Sequence, residues 1–163
     1  MKENTYKSQI RNQISLLEQS GEFNKNHDFI QHGSISVYDH CVDVALCSCR
    51  IAELLPFHIN MSSLIRGALL HDYFLYDWHV KSDAHRLHGF FHPGVALANA
   101  ERDYDLNPLE KSIIIHHMFP LTLMPPTCRE AWIVCLADKI CASRETWSGF
   151  RQLLARQKSH KPL

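Results

Sequence analysis

Apolar segments with a helical period, each carrying a histidine or an aspartate where burial is expected, constrain this chain more than any other feature. The residues are His40, then His71-Asp72, then His92, then His116-His117, then Asp138. A charged or imidazole side chain is costly to bury without a partner. A single buried histidine needs only a hydrogen bond. Several of them, together with two aspartates, are more cheaply explained by a shared cation.

The hydrophobic period predicts an all-α fold, because alternating β-branched runs are nearly absent while i, i+3, i+4 patterns recur. Residues 3–20 read as an opening helix with Ile10, Ile14 and Leu17 on one face, ended by Gly21. A loop with Gly33 follows. Ser36 then caps a long helix through Leu55, stopped by Pro56. Ser62 or Ser63 caps the next helix, whose apolar run delivers His71-Asp72 at its C-terminal end. Residues 73–91 are aromatic and polar without a clear period, which predicts a loop over the site. Pro93 suits the first turn of a helix running to about Tyr104. Asn107-Pro108 opens another through Met118. The prolines 120, 125 and 126 place a turn over 119–127, and a last long helix runs from Arg129 into the 150s, with a frayed basic tail. The expectation is one domain spanning 1–163, a bundle of about six to seven helices. Within it lie the N-terminal helix, a site-bearing core over about 30–145, and the C-terminal helix and tail.

Composition narrows the function. Lys+Arg and Asp+Glu are both 17, so no net charge points to DNA, RNA or an anionic membrane. No apolar run is long enough to span a bilayer and the N-terminus has no signal region, so a cytoplasmic location is expected. The six cysteines lack the CxxC pairs of zinc ribbons and read as reduced core thiols. Histidine is the exception: 12 residues, about three times ordinary usage.

The His-Asp doublet alone is a weak signal, since His27-Asp28 occurs in a polar loop. His71-Asp72 differs by closing an apolar helix that must be central. Asp138, in Leu136-Ala137-Asp138-Lys139-Ile140, lies inside the most apolar stretch of the last helix, where surface decoration is a poor explanation. Imidazole plus carboxylate donors suit zinc, iron, manganese or nickel, and the lack of nearby thiolates argues against a closed structural zinc site.

These residues resemble the HD superfamily of metal-dependent phosphohydrolases, whose signature is H…HD…D on a helical bundle. His40 matches the first histidine, His71-Asp72 the doublet and Asp138 the last aspartate, in consistent order over roughly residues 30–145. The local contexts, Val37 to Ala45, Gly67 to Asp72 and Ala137 to Ile140, agree as well. His92-Pro93 and His116-His117 stand where some members add two histidines for a second metal. There the resemblance is to the bacterial dinucleotide polyphosphate hydrolases of the HD type. It implies metal ligation by His40, His71, Asp72, His92, His116 and Asp138. Asp72 would be shared between ions, and His117 and Lys139 join it as candidate catalytic residues. The implied cofactor is one or two divalent transition ions per chain, iron or manganese first, with nickel, cobalt or zinc acceptable. The implied substrate is a nucleotide or other small phosphorylated metabolite, attacked by a metal-activated water. Arg66, Lys81, Arg86 and Lys139 are candidates for orienting phosphate.

Plainer roles compete at several positions. A loop histidine such as His32 caps a helix as readily as it faces substrate. His79, His85 and His88 read as exposed loop residues, and Trp78, Phe90 and Phe91 as packing. The alternative functions are an HD-like di-iron oxygenase, a non-catalytic signalling or interaction module, and a helical protein with a purely structural metal. A homodimer is possible, and exposure of Trp132 or Trp147 would be a hint of it.

Overall fold

The computed structural model describes residues 2–78 and 88–159. Its centre is set by one short, largely buried helix. Helix α3, Met61–Leu70, buries Leu64, Ile65, Ala68, Leu69 and Leu70 and leaves the strip of Ser62 and Arg66 toward solvent, as a helix does when other helices stand around most of it. Around it stand α1 (Lys2–Ser20), α2 (Val37–Glu53), α5 (Pro108–His116) and α6 (Arg129–Ser159), all in contact with α3. Helix α4, His88–Asp103, packs on α5. A short 3-10 helix, Phe23–Asp28, precedes a two-stranded antiparallel hairpin of β1 (Ile30–His32) and β2 (Ile35–Ser36). Gly33 turns that hairpin at φ +62°, a conformation open to glycine without strain. The fold is all-α, with this hairpin as a minor appendage resting against α2 and α6.

Local chemistry accounts for the helix ends. The Ser36 hydroxyl accepts from the Asp39 amide at the start of α2, as the sequence predicts. Helix α2 then buries Val37, His40, Cys41, Val44, Ala45, Ser48, Cys49 and Ala52, a stripe spaced three and one throughout. The cap of α3 is Asn60, not Ser62 or Ser63: its side chain accepts from Ser63 N, and Glu130 of α6 accepts from its backbone amide. An asparagine is as good a cap as serine, and the neighbouring serines lie inside the helix. Asn107 and Glu110 form a reciprocal capping box on α5, with Pro108 in the first turn.

Two expectations need correction. Helix α4 begins at His88 rather than at Pro93, so His92 and Pro93 lie inside it. Pro93 is the sixth residue of α4, past the first turn, so the helix forgoes there the bond an N–H would make to Gly89 O. The expected loop is correspondingly shorter; residues 79–87 lie outside the described residues, with Lys81 and Arg86 among them. All six cysteines are free, four of them buried. No helix among the described residues is long and apolar enough to cross a membrane.

Close approach of α3 to α5 depends on Gly67. A Cβ there would stand 2.6 Å from Ile113 Cδ1. The helices therefore pack nearly backbone to side chain, and their C-terminal ends are brought side by side.

Candidate metal centre

Those two ends carry the centre. His71 is the C-cap of α3 and His117 the C-cap of α5. Each imidazole turns its Nδ1–H back onto a carbonyl of its own last turn, His71 to Ala68 O at 2.7 Å and His117 to Ile114 O at 2.7 Å. Such carbonyls have no helical partner and are free to accept. Donation from Nδ1 leaves the Nε2 lone pair of each ring directed inward.

Asp72 lies between them, 2 % exposed. Its Oδ2 is 3.4 Å from His71 Nε2 and 3.8 Å from His40 Nε2, while its Oδ1 is 3.1 Å from His92 Nε2 and 3.3 Å from His117 Nε2. His40 comes from the middle of α2, and Asp138 of α6 places Oδ1 3.2 Å from His40 Nε2 and 3.8 Å from His71 Nε2. His92 of α4 approaches His117, Nε2 to Nε2, at 2.8 Å. Two donor groups result: His40, His71 and Asp72, flanked by Asp138, and Asp72, His92 and His117.

The donors fit a cation. His71 Nε2 and Asp72 Oδ1 are buried with no hydrogen-bond partner, a costly arrangement for two strong polar atoms. Neighbouring donors stand 2.8 to 3.8 Å apart. Ligands about 2.1 Å from a transition ion are separated by about 3.0 Å on an octahedron and about 3.4 Å on a tetrahedron. The set is nitrogen and carboxylate oxygen, suited to iron, manganese, nickel, cobalt or zinc. The second group has only three donors, which leaves positions for water or substrate.

Electrostatics follow from the crowding. Burial pushes His40 down, but hydrogen bonds to Asp138 and Glu145 outweigh it and lift it to about 10. Burial opposes charge on His71 too, yet the Asp72 carboxylate beside it raises its affinity for a proton. Asp72 and Asp138 are held well below the usual carboxylate range: burial is overcome by the charges of His71 and His92 at Asp72, and by the hydrogen bond with His40 and the nearby His71 imidazole at Asp138. Burial lowers His117, keeping its ring neutral and ready to ligate.

The structure brings together His40, His71, Asp72, His92 and Asp138 of the expected ligands, but not His116. The half-buried His116 ring is turned to Ser112, its Nδ1 2.8 Å from Ser112 O. Adjacent residues on a helix diverge by about 100°, so only one of the pair can face the centre. His117 lies three and four residues beyond the buried Ile114 and Ile113, which marks its face as the inner one. Lys139 sits at the rim, donating to His117 O at 2.8 Å with its Nζ 3.7 Å from Asp138 Oδ2. Arg66 does not reach the centre; it pairs with Glu110 and Asp105 O at the far end of α5. Two contacts were not anticipated. Gln31 of β1 donates to Asp72 Oδ2 at 2.6 Å, and Glu145 accepts from His40 Nδ1 at 2.9 Å. Gln31 has no sequence signal beyond lying beside His32. Glu145 has one: it follows Asp138 by seven residues, two helical turns along the same face.

No curated protein and no solved structure is significantly similar to the chain. The sequence profile of the HD domain family matches residues 37–143, about two-thirds of the chain's length, and encloses all six converging donors, from His40 of α2 to Asp138 of α6. By that match, and with its histidines and aspartates converging as the geometry describes, the chain belongs to the HD domain family.

Proposed function

We propose that this protein is a metal-dependent phosphohydrolase with a two-ion centre, acting on a nucleotide or other small phosphorylated metabolite. The observation that carries the reading is the division of Asp72. One carboxylate oxygen faces His40 and His71, the two rings that Asp138 also approaches, and the other faces His92 and His117, as would suit a ligand shared by two ions. Bound divalent ions supply an activated water and neutralise phosphoryl charge.

The chain's residues do the rest. His40, His71, Asp72 and Asp138 would hold the first ion, and Asp72, His92 and His117 the second. Gln31 fixes the Asp72 carboxylate through Oδ2, so that Oδ1 stays turned to the second group. Lys139 ties the end of α5 to α6 and brings a positive charge beside Asp138 at the rim, where a substrate phosphate would approach. The side chain of Phe74 stacks edge-on to His92 and shields that ring from water.

Elemental analysis and a phosphate-release screen test the reading. Protein loaded with manganese should hold about two ions and release phosphate from nucleotides or dinucleotide polyphosphates without oxygen. Two ions with no phosphate release, but with oxygen consumption by the iron form, would replace the hydrolase by an oxygenase on the same ligands. Failure to bind any of manganese, iron, cobalt, nickel or zinc would overturn the metal centre itself.

A further inference from the structure

We infer that Glu145 is a positioning residue for the first ion: it orients His40 as a ligand and adds negative charge to that half of the centre. The inference rests on the metal-centre reading above.

The argument starts from where each imidazole sits on its helix. His71 and His117 stand at helix ends and satisfy Nδ1 with free carbonyls of their own last turns. His40 stands inside α2, where the carbonyls one turn back already accept helical amides. Its Nδ1–H must find an acceptor on another element. Glu145 of α6 supplies it, with Oε1 at 2.9 Å and Oε2 at 3.1 Å, and both side chains are almost wholly buried. That donation fixes the ring with Nε2 toward Asp138 and Asp72. A carboxylate also differs from the carbonyls used by the other two rings, because it carries a full charge and makes the imidazole a stronger donor to a metal. Glu145 lies outside residues 37–143, so the family match does not account for it. On α6 it follows Asp138 by two turns, so one helix face presents both a ligand and the group that steers another ligand.

A purely structural role, pinning α2 to α6, is the competing account, and the two differ in what cobalt reports. The test titrates metal-free wild type, E145Q, E145A, H40A and H40A/E145A with Co2+, following the d–d absorption bands, affinity by chelator competition, and the thermal midpoint of each metal-free protein. E145A should weaken the first ion by about 10- to 100-fold and change its spectrum. E145Q can still accept from Nδ1, so it should keep the spectrum and lose less affinity. In the H40A background E145A should add no further loss. Wild-type uptake with unchanged affinity and spectrum in both E145A and E145Q would overturn the Glu145 assignment alone, even if their thermal midpoints fall. No cobalt uptake by the wild type would overturn the metal-centre reading and this inference with it.

Discussion

Asp72 has its two oxygens committed to different partners, and this makes substitutions at the centre distinguishable. Asp72→Ala removes a donor from both groups and should cost both ions and at least about 100-fold in hydrolysis, by analogy with loss of a metal ligand or its support. His117→Ala should lose one ion, because His40, His71 and Asp138 remain around the other. His116→Ala should keep both, since that ring is occupied with Ser112. Metal content per chain decides all three, and an ion lost from the His116 variant would reverse the assignment of the pair. The residue scale is also where the sequence is most and least legible. His71, Asp72 and Asp138 announce themselves because a polar group in an apolar helix demands a reason. The choice between His116 and His117 turns on a rotation of about 100°, and it could have been read only from the positions of Ile113 and Ile114.

At the scale of the element, the centre is an assembly of helix termini and helix faces. Gly67→Ala should force α3 and α5 apart, since the added Cβ meets Ile113 at 2.6 Å. A cost of about 1–3 kcal/mol is expected for such overpacking, together with weaker binding of the ion that needs both Asp72, at the end of α3, and His117, at the end of α5. Calorimetry with and without metal checks it; equal destabilisation of both forms would separate the packing from the site. The metal-free protein should also have a characteristic pH profile. His40 titrates ordinarily near 6.5 and is lifted to about 10 in the fold. Its contribution is therefore complete below about pH 6.5 and is lost as pH rises toward 10. Asp72 and Asp138, held below their ordinary 3.8, contribute above that value and lose the contribution in acid. The thermal midpoint of chelator-treated protein should fall from pH 6.5 to 10, and a flat profile over that range would contradict the pairing.

For the whole molecule, the two halves of the centre are unequal. The first offers two imidazoles and two carboxylates, the second two imidazoles and one oxygen of a shared carboxylate. Titration of the metal-free protein should accordingly show two steps, the first tighter, and a single step of two equivalent ions would argue against the assignment. The bundle itself was legible because helical period and caps are local properties: α2, α5 and α6 begin where Ser36, Asn107-Pro108 and Arg129 place them. The first turn of α4 was hidden because a proline five residues in mimics a helix start. Gln31 and Glu145 were hidden because their partners are distant in sequence, 41 and 105 residues away.

The two imidazoles that fold back onto Ala68 O and Ile114 O have one more consequence. Each ends its helix and faces the centre with the same ring, so unravelling the last turn of α3 or α5 and releasing a donor are one event. Cation occupancy should then slow amide hydrogen exchange selectively at those two termini, and the rate of exchange there becomes a gauge of how often the centre opens.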